Sequence, residues 1–171
     1  MQKQKVADGI QDIYKRSRAS AGPFVEQVSF LIYLKLLDER ESAIRRTEQE
    51  HFFRLRKTEG PLYSGFAEEF RWSKWDVREE VDLQEFISGQ AIDYVQTLSR
   101  EAPEVARFFK DAEMRLGDQH LKQLYEILES IKFGDLTAVD RGDFYGELLE
   151  IIGESSEGIY RTPLHLRRLM G

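Results

Sequence analysis

The sequence contains no cysteine and no asparagine among its 171 residues. Without cysteine, a disulfide framework, a thiolate zinc site and a catalytic thiol are all excluded. The absence of asparagine excludes any catalytic motif that is built on that side chain. A cysteine-free chain suits a reducing compartment, so we predict a cytoplasmic location.

Long apolar segments are also absent. The best candidate, FLIYLKLL at residues 30–37, is far shorter than the roughly 20 residues that span a bilayer, and it carries Lys35. The N-terminal residues MQKQKVADG lack the apolar core of a signal peptide. We therefore predict no contact with a membrane.

The composition indicates a single folded domain. Hydrophobic residues make up 41% of the chain and charged residues 33%, which is typical of globular proteins. The net charge of −6 makes the chain a poor autonomous nucleic-acid binder, because neutralising phosphates supplies most non-specific affinity. Local basic patches could still contact DNA that another component holds nearby.

Apolar residues recur at helical spacing along most of the chain, and no segment alternates with the period of a strand. From Val28 to Leu37 the pattern is apolar on nearly every side, which is typical of a buried helix. The fold class that we predict is all-α. It is a single compact helical domain of about six to eight helices with a central buried helix.

Several residues predict where helices begin. Pro23 fits the first position of the central helix, which we expect to run to about Arg46. Asp82, Asp118 and Asp140 each precede an apolar periodic segment and are predicted N-caps.

No arrangement of residues predicts catalysis or metal binding within the chain. His51, His120 and His165 are far apart and lie in no metal-ligand spacing. Adjacent carboxylates diverge on a helix, and there is no glycine-rich phosphate loop. We therefore predict no catalytic residue and no metal site.

Aromatic and basic residues alternate between His51 and Trp75. Arg54, Arg56, Lys57 and Arg71 are candidates for contact with DNA phosphates, with the aromatic rings stacking on bases. In the alternative interpretation the aromatic rings fill the protein core while the basic groups stay in water.

Near the C-terminus, Thr162 and Pro163 predict a helix start, with the threonine as N-cap and the proline as first helical residue. His165 occupies the position where a complete capping box has Glu or Gln. An open helix N-terminus attracts anions, but a plain capped helix explains the same pattern.

Four segments together resemble one protein family. They are IYLKLLDE at 32–39, RWSKW at 71–75, IKFGD followed by GDFYGELL at 142–149, and EGIYRTP at 157–163. In order and spacing they resemble segments of the modification subunits of type I restriction–modification systems. The last is similar to the G-x-F-Y-T-P motif of adenine-specific DNA methyltransferases. Arg161 and Gly146 depart from the usual pattern.

The resemblance implies a parent protein that transfers a methyl group from S-adenosylmethionine to adenine in DNA. Residues 1–157 would be its N-terminal helical domain, and residues 158–171 would begin its methyltransferase domain. Tyr160, Thr162 and Pro163 would lie at the edge of the cofactor. The catalytic N-P-P-[YF] motif cannot be present without asparagine, so we expect this chain alone not to bind the cofactor.

The same resemblance implies several partners. These are a specificity subunit that reads the DNA sequence, a second modification subunit, the restriction subunit of the full complex, and DNA in the assembly. The helical domain would help to close the assembly around DNA and would pack on neighbouring subunits. A helical interaction or regulatory module unrelated to methylation is the alternative, and there Thr162 would be merely a cap.

Overall fold

The computed structural model describes residues 2–55, 68–97, 107 and 110–154. Within these ranges the regular structure is helical and there is no strand, which confirms the all-α prediction. The helices are α1 (Gln2–Ser17), α2 (Ala21–Leu55), α3 (Leu83–Phe86), α4 (Ile92–Thr97), α5 (Asp118–Glu129) and α6 (Ala138–Glu154). A π-helical turn, Ile87–Ala91, joins α3 to α4, so the described ranges hold five helical rods.

Three short 3-10 turns complete the described structure: Glu68–Phe70, Trp72–Lys74 and Phe133–Asp135. Over the same ranges, no helix combines the length and the apolar character that crossing a bilayer requires.

Helix α2 is the central element of the core. From Val28 to Asp38 every residue is buried or half-buried, and Leu31 and Ile32 are almost completely enclosed. The helix contacts α5, α6 and the 3-10 turns at 72–74 and 133–135. This confirms the central buried helix that the sequence predicts.

Helix α1 closes one side of the core by packing against α5 and α6. Its inward face carries Val6, Ile10 and Ile13, all buried. Leu121 and Leu124 of α5 are fully buried as well. The spacing of these residues follows the 3.6-residue period, so each helix buries the stripe that its sequence predicts.

The start of α2 differs from the prediction, because Pro23 is its third residue instead of its first. The turn from α1 is made at Arg18, which has a φ of 57°, and the carbonyl of Ser20 accepts the N–H of Phe24 at 3.0 Å. A proline is tolerated in the third position because N–H groups of a first turn have no helical acceptor. The helix also extends beyond Arg46, to Leu55.

The N-terminus of α3 is capped by two aspartates from different parts of the chain. Asp82 is the predicted N-cap, and its carboxylate accepts the N–H of Glu85 at 2.9 Å. Asp118 was predicted to cap its own helix, but Gly117 holds that position. Instead the Asp118 carboxylate accepts the N–H of Leu83 at 2.7 Å.

The environment of Asp118 favours its charged form. Burial by itself raises the pKa of this carboxyl, but hydrogen bonds from the Lys122 ammonium and from the Leu83 N–H outweigh burial and lower it. The Lys122 Nζ lies 2.8 Å from the carboxylate and also donates to the Val81 carbonyl at 2.6 Å. Asp118 therefore joins α5 to the start of α3, and Lys122 joins it to the segment that precedes α3.

The N-cap of α6 is Thr137, which corrects the prediction for Asp140. The Asp140 N–H donates to the Thr137 hydroxyl at 3.1 Å, and that hydroxyl donates to the Asp140 carboxylate at 2.9 Å. This reciprocal pair resembles a capping box, with the threonine outside the helix and the acid in its first turn. Asp140 also pairs with Lys3 at 3.0 Å, which lowers the pKa of Asp140 and ties α6 to α1.

Gly9 allows α1 to approach α5 closely. A Cβ atom at this position would lie 2.9 Å from Cδ1 of Ile127, closer than real carbon contacts allow. Because Cδ1 is the free end of a half-buried side chain, it can move aside at a small cost, so we expect Gly9→Ala to fall short of the roughly 0.5–1 kcal/mol that alanine normally gains over glycine in a helix. Urea denaturation measures the change.

Two controls accompany this substitution. Ile127→Val removes the Cδ1 atom, so Gly9→Ala should recover much of that gain in the double variant. Gly142→Ala, in α6, has no atom within 4 Å of the new Cβ and should stabilise by about 0.5–1 kcal/mol. A Gly9→Ala variant as stable as Gly142→Ala would contradict the close approach of the two helices.

Candidate functional site

The RWSKW segment is attached to α2 by a buried ion pair. Nε of Arg71 lies 2.7 Å from Oδ1 of Asp38, and each side chain is only 8% exposed. A second nitrogen of the same guanidinium donates to the Ser42 hydroxyl at 2.6 Å. The Ser73 hydroxyl also donates to Asp38, at 3.3 Å. The pair is hydrogen-bonded on both sides, as a buried ion pair requires.

A second charged cluster is centred on Lys35, which lies about one helical turn before Asp38 on α2. The ammonium of Lys35, 6% exposed, lies 3.2 Å from a carboxylate oxygen of Glu39 and 3.2 Å from one of Glu129. Glu39 also accepts the N–H groups of Gly134 at 2.7 Å and of Phe133 at 3.3 Å. The cluster therefore connects α2, the end of α5 and the turn at 133–135.

Trp72 lies between the two clusters. Its indole N–H donates to the Glu129 carboxylate, its ring stacks on Tyr125 with centroids 4.5 Å apart, and Nζ of Lys35 lies 5.9 Å from its centroid. The Tyr125 hydroxyl donates to the Trp72 carbonyl at 3.1 Å. Burial, followed by the charges of Glu129 and Asp38, raises the pKa of Tyr125 to about 12, so this hydroxyl stays a donor.

The aromatic residues of this region belong to the core. Trp72 and Trp75 are buried, and Phe70 packs against the core and stacks on Tyr94 with centroids 4.3 Å apart. The Trp75 indole N–H donates to the Phe70 carbonyl at 3.0 Å. For these three rings the alternative interpretation, core filling rather than base stacking, is confirmed.

An open cleft of about 760 Å³ borders both charged clusters. It lies between residues 35–46 of α2, Trp72, the end of α5, the turn at 133–135 and the start of α6. Its charged lining comprises five basic and four acidic side chains: Lys35, Arg40, Arg46, Lys132, Arg141, Asp38, Glu39, Glu129 and Asp135.

Most of the site residues predicted from the sequence lie outside the described residues. These are Arg56, Lys57, Tyr160, Thr162 and Pro163. Arg54 belongs to α2, but its side chain is likewise not described. Their roles stay predictions.

Arg71 is the one predicted DNA contact whose side chain the structure describes. It lies inside the domain and not in water, where the alternative interpretation placed it, because its guanidinium is engaged by Asp38 and Ser42. This placement favours a structural role, and contact with DNA stays a prediction. Within the described ranges, no group of His, Asp and Glu side chains could hold a metal ion.

Sequence reasoning missed the charged residues that organise this region. Lys35, Asp38 and Glu39 are spaced so that they share one face of α2. They lie within or directly after its most apolar part, where a charge needs a partner. Their spacing indicates that these charges need partners inside the domain. It does not indicate which residues those partners are, because Arg71 and Glu129 come from distant segments of the chain.

The fold and the site define an all-helical domain whose buried charged clusters hold its elements together. The description of the matching family model is "HsdM N-terminal domain", and the match covers residues 4–131, about three quarters of the chain. The chain belongs to this family, the N-terminal domain of the modification subunit of type I restriction–modification systems. No curated protein and no solved structure matches the chain significantly.

The matched range contains two of the four segments that carry the resemblance, IYLKLLDE and RWSKW. These two segments are joined in the structure by the ion pair between Asp38 and Arg71. The segment EGIYRTP lies beyond the matched range.

Proposed function

We propose that the chain acts as the N-terminal domain of a DNA adenine methyltransferase subunit, where it helps to close the assembly around DNA and packs on neighbouring subunits. The parent protein transfers the methyl group of S-adenosylmethionine to the exocyclic amine of adenine. The observation that carries the proposal is the family match over residues 4–131. The ion pair between IYLKLLDE and RWSKW supports it, because it gives both segments a structural role in one domain.

The charge of the chain agrees with a division of labour among partners. A net charge of −6 opposes autonomous DNA binding, so a specificity subunit is the component that reads the sequence. A second modification subunit completes the methyltransferase, and the restriction subunit joins in the full complex. All of these partners belong to the proposal.

The cofactor edge is a separate part of the proposal. We propose that Thr162 would cap a helix whose free N–H groups attract the carboxylate of the methionine moiety, and that Tyr160 and Pro163 would border the same site. A helix N-terminus contributes about 0.3–1 kcal/mol towards an exposed anion, which is too little to hold the cofactor alone. The methyltransferase domain therefore supplies the remaining contacts.

The test uses the full-length parent subunit in complex with its specificity subunit. Deleting the whole helical domain, residues 1–157, should weaken DNA binding about tenfold or more, because a clamp slows dissociation, and should leave cofactor binding intact. Thr162→Val should leave DNA binding unchanged and should weaken cofactor binding about two- to fivefold. Calorimetry measures the cofactor, and anisotropy of labelled duplex measures DNA.

The deletion carries its own control, because retained cofactor binding shows that the remaining domain is folded. Unchanged DNA affinity after the deletion would favour the alternative, a helical interaction module without a part in clamping. Unchanged cofactor affinity in Thr162→Val would show that Thr162 has no part in the cofactor site.

A further inference from the structure

The acidic side chains at the floor of the cleft are already partnered within the domain, where two cations, Lys35 and Arg71, are set against three carboxylates. Asp38 is paired with Arg71, and Glu39 is held by Lys35 and by two backbone N–H groups. Glu129 accepts from Lys35 and from the Trp72 indole. The floor therefore repels an incoming anion less than its acidic residues would suggest.

The basic side chains at the rim of the cleft form no ion pairs with the carboxylates of the described residues. Arg40, Arg46 and Lys132 are exposed and Arg141 is half-buried, and none of the four has an ion-pair partner among the described residues. Asp135 is the one acidic lining residue without an ion pair in the same ranges. Counting Arg71, the cleft thus has six cations and four anions, a net charge of +2 on a protein whose net charge is −6.

The guanidinium of Arg141 is held in a defined position. One of its terminal nitrogens donates to the carbonyls of Phe133 and Leu136, each at 3.3 Å. Its Nε–H is buried and has no acceptor among the described residues. An arginine fixed by its surroundings loses less conformational freedom when it binds an oxyanion, so this one is suited to recognition.

We propose that this cleft binds phosphate groups through Arg40, Arg46, Lys132 and Arg141. Three of these are arginines, whose planar donor fork matches phosphate oxygens, and a phosphate offers several charged oxygens to donors around one opening. The phosphate can belong to the DNA backbone or to a small free anion. The inference goes beyond the proposed function, because it assigns a ligand chemistry to one surface whichever molecule carries the phosphate.

The test compares two double variants of the full chain that change the net charge equally. Arg40→Gln with Lys132→Gln removes two exposed cations at the cleft. Lys15→Gln with Lys110→Gln removes two exposed cations that do not line it. Both pairs leave the buried clusters intact, and circular dichroism confirms that each variant is folded.

Binding of labelled duplex DNA is measured by anisotropy at several low salt concentrations. The cleft pair should weaken binding about tenfold and reduce the slope of log affinity against log salt by about two, one for each lost phosphate contact. The control pair should change both quantities much less. Equal losses of DNA affinity in the two double variants would overturn the proposal, because the overall charge of the protein would then explain the binding.

Two further titrations identify the chemistry and the source of the anion. If the wild type binds inorganic phosphate but not DNA, and the cleft double variant loses that binding, the site is supported and its ligand is a free anion. Polyglutamate that competes as well as DNA does would overturn the assignment to phosphate in favour of an acidic protein segment. Failure of the wild type to bind either phosphate probe would overturn the site itself. None of these outcomes depends on the cofactor or on the deletion test above.

Discussion

Removing the Asp38 carboxylate is expected to lower the free energy of unfolding by about 3–5 kcal/mol, the range for a broken buried ion pair. The Asp38→Ala variant leaves the Arg71 guanidinium inside the domain, without the carboxylate 2.7 Å away that offsets its charge. The Ser42 hydroxyl that remains beside it cannot replace that charge. Urea denaturation monitored by tryptophan fluorescence measures the loss.

A double variant separates the cost of breaking the ion pair from the cost of lost packing. Asp38→Leu combined with Arg71→Met replaces the pair with apolar side chains and should recover much of the stability, since such replacements are often neutral or stabilising. The pair Asp76 and Arg78 is the surface control. Its atoms lie 2.7 Å apart, but Arg78 is 70% exposed, so Asp76→Ala should cost far less stability than Asp38→Ala. Equal costs for Asp38→Ala and Asp76→Ala would contradict the buried pair.

The second large effect is expected at Trp72. Trp72→Ala should cost about 3–5 kcal/mol, because the indole is almost completely buried and its removal leaves a cavity between α2 and α5. The substitution also removes the stacking partner of Tyr125 and a hydrogen-bond donor to Glu129. The loss should appear as a lower midpoint of thermal unfolding.

The conservative variant Trp72→Phe distinguishes packing from hydrogen bonding. It keeps an aromatic ring but removes the indole N–H, so we expect an intermediate cost of about 1–3 kcal/mol. Val139→Ala is the matched control at an exposed apolar side chain and should change stability by no more than about 0.5 kcal/mol. A thermal midpoint in Trp72→Ala close to that of Val139→Ala would show that the RWSKW segment lies outside the core.

Periodicity was sufficient for the fold class, because helix formation depends on neighbours three and four residues apart. The stripe Leu121, Leu124 and Leu128 predicts the buried face of α5, and all three side chains are fully buried. The continuous apolar run before Asp38 predicts a helix enclosed on every side, and α2 is that helix. Family membership was readable for the same reason, since its motifs are local.

Helix starts were predicted less well, because several side chains compete for the same N–H groups. Asp82 caps its own helix as expected. Asp118 has the same residue type in a similar context, yet packing of α5 beside α3 gives its carboxylate the N–H of Leu83, 35 residues away. For α6 the Thr137 hydroxyl holds the cap position, and Asp140 takes the reciprocal role in the first turn.

The sequence by itself determined the all-α class, the central helix and the segments that mark the family, all of which rest on contacts between near neighbours. Only the tertiary structure decided which charges meet. Asp38 pairs with Arg71, which is 33 residues away in the sequence, and Lys35 pairs with Glu129, which is 94 residues away. It also decided that Arg71 lies inside the domain while Arg40 and Lys132 line an open cleft. The physical reason is that a charge in an apolar setting requires a partner, but packing alone determines which distant segment supplies it.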